Sequence, residues 1–135
     1  MPELDFAFLA DFARAKGNSI DALSIGVDLV MAEGLPSAVS LAIALRLHFA
    51  RAECDVLHRL EAIAQGPDGQ RRAELSLDIM PRWPTIDPPS DRVGVQAVIP
   101  LSLELFDAGR HSVDLALDGR AVKDIAFEVV VPPAL

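Results

Sequence analysis

Residues 109–132 read GRHSVDLALDGRAVKDIAFEVVVP, and taken in order they spell a β-hairpin. Val113, Leu115 and Leu117 alternate with Ser112, Asp114 and Ala116, the two-residue period of a strand with one buried face. Asp118-Gly119 then turns the chain. Both central residues of a type I′ turn need φ above zero, which glycine adopts freely and aspartate tolerates. The turn pairs Leu117 with Arg120 and is expected to set Asp114 opposite Lys123, an exposed charge pair that contributes about 0.2 to 1 kcal/mol. Ile125, Phe127, Val129 and Val131 resume the alternation one parity step away from Val122, which predicts a β-bulge near Lys123-Asp124. Pro132 ends the strand.

The same period recurs upstream. From Val93 to Leu105 every odd position is apolar, and Pro100, which has no N–H to donate, marks an edge strand or a bulge. Leu41, Ile43, Leu45, Leu47 and Phe49 alternate with Ser40, Ala42, Ala44, Arg46 and His48. Leu60, Ala62 and Ala64 lead into Gly66-Pro67-Asp68-Gly69, a reversal followed by Ala73, Leu75, Leu77 and Ile79, so a second hairpin is expected. The four prolines of PRWPTIDPPSD (81–91) exclude a central strand and predict an extended crossing between sheets. Near the N-terminus, Leu4, Phe6, Phe8, Ala10 and Phe12 alternate, with Leu9 the only large apolar residue out of phase, and the segment Leu4 to Ala15 is read as a strand. Ile20 to Met31 follows the Gly17-Asn18 turn with Ile25, Val27, Leu29 and Met31 on one face and a kink near Ser24. The expectation is an all-β fold: one antiparallel β-sandwich of seven or eight strands, immunoglobulin-like, spanning 1–135.

A chain of 135 residues is long enough to bury roughly 68 to 70% of its unfolded surface without disulfides or metals. Its formal charge of -8 disfavours nucleic acid, because binding phosphates requires a basic patch that displaces counterions. The single cysteine, Cys54, cannot pair internally, MPELDFAF carries no basic leader, and no apolar run approaches the length of a membrane span. These features predict a cytoplasmic protein with no membrane partner.

The opening PELDFAFLADFARAKGN, with SIGVDLV, LRLHFARAE and the closing AGRHSVDLALDGRAVKDIAFEVV, resembles a group of small bacterial, actinobacterial-type proteins that carry a domain of unknown function. The resemblance spans nearly the whole chain and implies a compact all-β domain with no catalytic residue assigned. Where that group leads one to expect an aromatic after the loop glycine, this chain has His111.

Chemistry-bearing residues are few. His48, Cys54 and His58 are zinc-ligand types within eleven residues, yet strand parity points His48 outward and His58 inward, and no fourth ligand stands at a recognised spacing. Glu53 and Asp55 beside Cys54 disfavour its thiolate, which makes it a poor nucleophile. Arg46, Arg51, Glu53, Arg59 and Glu61 alternate outward and offer either an anion-binding ledge or a solvated face of weak ion pairs. Asp87, Asp91, Asp107 and Asp118 lie in loops, where carboxylates hold calcium or stabilise turns, but no Asp-x-Asp pair occurs among them. Trp83, between Arg82 and Pro84, is either a stacking platform for a ligand or a plug over one end of the sandwich. There is no G-x-S-x-G, H-E-x-x-H, C-x-x-C or phosphate-cradling glycine pair.

Two functions are consistent with this reading. The first is a non-catalytic module that binds a protein partner or associates with itself through a strand edge, with no cofactor. The alternative is a small-ligand-binding protein, or an unrecognised enzyme, using the Trp83 loop with Arg82 and nearby Arg46 and Arg59.

Overall fold

Strand follows strand through residues 1–133, which the computed structural model describes, with one 3-10 turn and no α-helix among them. In chain order the strands are β1 (Glu3–Ala10), β2 (Phe12–Lys16), β3 (Ser19–Leu23), β4 (Leu29–Met31), β5 (Ser37–Ala50), β6 (His58–Gln65), β7 (Arg71–Ile79), β8 (Arg92–Leu105), β9 (Gly109–Leu117) and β10 (Arg120–Val130). They form a three-stranded sheet in the order β1-β5-β8, a five-stranded sheet β4-β10-β9-β6-β7, and the separate hairpin β2-β3. The two larger sheets share one buried cluster. Leu9, Leu45, Leu47, Phe49 and Leu101 enter it from one sheet, and Leu60, Val113, Leu115, Leu117 and Phe127 from the other. Full burial of such side chains contributes roughly 1.5 to 3 kcal/mol each. Strands β7 and β8 meet along one flank, and β1 meets β10 along the other.

The all-β reading holds, and its details need correcting. Ten strands are present among the described residues instead of seven or eight, because the N-terminal strand breaks at Asp11 and the next breaks over residues 24–28. Ser24 (φ 56°) and Gly26 (φ 79°) turn the chain there, and the Gly26 and Val27 N–H groups bond to the Leu9 carbonyl. The segment then enters the five-stranded sheet beside β10 as a parallel strand, so the pairing is mixed and not antiparallel throughout.

The hairpin of residues 109–132 forms with Asp118 (φ 51°) and Gly119 (φ 80°) at its turn and Leu117 opposite Arg120. Its bulge comes one residue earlier than expected, between Ala121 and Lys123, so Asp124 and not Lys123 faces Asp114. The earlier bulge brings Val122, as well as Ile125, against the core. His111 is buried, stacks on Phe127 across the ladder at 5.3 Å, and donates from Nδ1 to the Gly109 carbonyl at 3.1 Å.

In β1 the inward face is Ala7 and Leu9, whereas Phe6 and Phe8 are half-buried on the outer face with their rings stacked at 5.6 Å. The β2-β3 hairpin covers part of that outer face, packing Ala13, Ile20 and Ala22 against Phe8, Ala42, Ala44 and Val98. Gln96 pins the hairpin tip by donating to the Asn18 carbonyl at 2.6 Å. On β4 the inward residue is Val30, so Leu29 and Met31 point out, the reverse of the expected face. Pro100 lies on β8, an edge strand paired only with β5, as its missing donor requires.

Candidate functional site

At the end of β5 the chain tightens into the 3-10 turn Arg51–Glu53, where the Glu53 carboxylate accepts the Ala50 N–H at 2.6 Å. The Asp55 N–H donates to the Pro81 carbonyl at 2.8 Å, which ties the proline-rich crossing to this turn. Trp83 lies half-buried against the core, and its indole N–H donates to Asp87 Oδ1 at 3.0 Å. The Arg51 guanidinium carbon sits 5.6 Å from the centre of the indole ring, in cation–π position. Between turn and crossing opens a cavity of about 410 Å³, walled by Trp83, Arg51, Asp87, Asp91, Pro88 and the alanines 50 and 52. Its size falls in the range of small-ligand sites, which are about 300 to 1,000 Å³. Trp83 is thus both a plug and a wall of a concavity.

A second polar centre adjoins it. His58 is buried on the inner face of β6, with Nδ1 2.6 Å from Asp118 Oδ2 and Nε2 2.8 Å from the Glu53 carbonyl. Both neighbours are acceptors, so both ring nitrogens must donate, and the arrangement fits the imidazolium. Burial alone disfavours that cation, but the Asp118 carboxylate and the Glu53 carbonyl outweigh it and raise the His58 pKa above its ordinary value. Burial likewise works against the Asp118 carboxylate, yet hydrogen bonds from His58 and the Arg59 N–H hold its pKa below the usual range. With Nε2 committed to a main-chain carbonyl, this His–Asp pair has no free nitrogen to activate a nucleophile.

The residues singled out from the sequence scatter. Arg82 is exposed and does not line the cavity, because the extended chain sends it away from Trp83, and Arg51 takes the place beside the indole. Arg46 and Arg59 lie on the outer faces of different sheets. Arg59 reaches Asp78 at 3.4 Å, and Arg46 packs over Gly94, where a β-carbon would fall 2.8 Å from its Nε. The zinc-type trio separates too: His48 faces Asp5 at 3.5 Å on the outer face, whereas buried Cys54 donates to the Ala50 carbonyl. Burial, with Asp55 and Glu53, pushes the Cys54 thiol pKa up. Among the loop aspartates, only Asp87 and Asp91 come to one site. Asp107 bonds Arg72 at 3.4 Å, alongside Asp68 at 3.1 Å, and Arg72 also stacks over Phe106. No group of three metal-ligand side chains occurs among the described residues, and no helix there is long and apolar enough to cross a membrane.

The sequence model of one family matches residues 5–130, nearly the whole chain. The chain belongs to DUF6941, a family of unknown function. The DUF6941 match takes in both the Trp83 cavity and the His58–Asp118 pair. A search of curated proteins gave no match.

Proposed function

We propose that this protein is a non-catalytic interaction module of the bacterial cytoplasm, one domain over residues 1–135 built as an immunoglobulin-like sandwich, that binds a protein partner or a second copy of itself. The observation that carries this is a run of outward apolar side chains: Leu23, Ile25, Leu29 and Met31 are each more than half exposed, and Phe12 lies opposite Leu23 in the hairpin. Scattered exposed apolar side chains are ordinary, but four of them within nine consecutive residues support a segment that is covered in use. The segment ends in β4, a short edge strand, so main-chain pairing can add to side-chain burial.

The test is sedimentation velocity on the purified protein from low to high micromolar concentration, with Met31→Asp as control. Reversible association that Met31→Asp abolishes is the expected result. A monomer at every concentration, together with no partner retained by the wild-type protein that Met31→Asp fails to retain, ends this reading.

A second reading, small-ligand binding at the Trp83 loop, is favoured by one specific observation: a concave space does open at the indole, bordered by charges of both signs.

A further inference from the structure

Resting on that second reading, we propose that the Trp83 cavity takes a small zwitterion, a molecule of free-amino-acid type with a carboxylate and an ammonium a few bonds apart on an apolar body. The walls carry one cation, Arg51, and two carboxylates, Asp87 and Asp91. Asp87 spends one oxygen on the indole N–H. Arg51 and Asp91 have no ion-pair partner among the described residues, although ion pairs are numerous elsewhere on this surface.

The signs exclude simpler ligands. A plain cation seeking the indole face meets the Arg51 guanidinium already over it, and like charges at such range repel. A plain anion drawn to Arg51 must settle beside two carboxylates. A neutral body displaces water from charged groups and gives them nothing in return, which is costly. A molecule bearing both charges satisfies each wall: its carboxylate meets the guanidinium fork, its ammonium meets Asp91, and its apolar part lies along Pro88 and the alanines 50 and 52 beside the indole. The cavity, about 410 Å³, holds a molecule of that size.

Trp83 is the only tryptophan and the chain has no tyrosine, so its emission reports from this one site. The experiment titrates the purified full chain to millimolar concentrations with L-proline and L-leucine, with their amides as cation-only probes, with their N-acetyl forms as anion-only probes, and with glucose as the neutral probe. The expected result is a saturable emission change with the free amino acids and binding weakened about tenfold or more when either charge is blocked. Arg51→Gln, an exposed position, should make the free amino acid bind no better than its amide, and Asp91→Asn no better than its N-acetyl form. If an amide, an N-acetyl form or glucose binds wild type as tightly as the free amino acid, the cavity binds ligands but the zwitterion assignment is overturned. If nothing in the panel perturbs Trp83, the ligand-binding reading falls with it.

Discussion

Replacing Asp118 by Asn removes one negative charge and little else. Asn tolerates φ near 51° as aspartate does, so the turn persists, and its side-chain oxygen can still accept the Arg59 N–H that Asp118 Oδ1 accepts at 2.9 Å. What is lost is the charge-assisted bond to His58 at 2.6 Å. Such bonds contribute about 1.5 to 3 kcal/mol. The Asp118 side chain is 43% exposed, so solvent screening reduces the expected loss to about 1 to 2 kcal/mol. For a domain of this length that lowers Tm by roughly 3 to 8 °C.

The pH dependence is the sharper test. The folded pKa of His58 is raised, so its contribution is complete below its unfolded value of 6.5 and is lost as pH rises through the folded pKa. The folded pKa of Asp118 is lowered, so its contribution is complete above 3.8 and is lost as pH falls through the depressed value. The Tm gap between wild type and Asp118→Asn should therefore be widest between about pH 4 and 6.5 and should narrow on the alkaline side. Thermal melts across this range measure it, and nitrogen NMR of the imidazole should show both ring nitrogens protonated in the window. A gap that is flat with pH, or that widens as pH rises above 6.5, refutes the imidazolium.

Gly119→Ala places a β-carbon in open space but forces alanine to φ near 80°, so the expected loss is about 1 to 2 kcal/mol from backbone strain alone, read by urea denaturation. Arg72→Ala removes the guanidinium that joins Asp68 of one turn to Asp107 of another over the Phe106 ring. About 1 kcal/mol of stability should be lost, and hydrogen exchange should quicken in residues 66–70 and 106–109 while β5 keeps its protection.

The elements legible in the sequence are those with a single buried face. Leu41 to Phe49, Val93 to Leu105 and the hairpin at Asp118-Gly119 announce themselves by period and turn chemistry. The N-terminal strand misleads because both of its faces are covered: Phe6 and Phe8 lie toward the β2-β3 side and Ala7 and Leu9 toward the core, and alternation cannot tell inside from outside when neither side is water. At the cavity, Trp83, Asp87 and Asp91 are legible as a loop cluster. Arg51 reaches them through a tertiary tie from Asp55 to Pro81, which no periodicity encodes. The His58–Asp118 pair joins residues sixty positions apart, and its only sequence trace is a histidine on an inward parity.

Pro100 has a consequence for how copies of this chain can meet. The ladder from β8 to β5 runs unbroken through Ala42 and Pro100, so the absent donor falls on the open margin. A stray strand laid along that margin would lack a bond at mid-length, and runaway fibre growth is blunted there. The margin of β4 carries no proline, which leaves it the more permissive seam for strand addition.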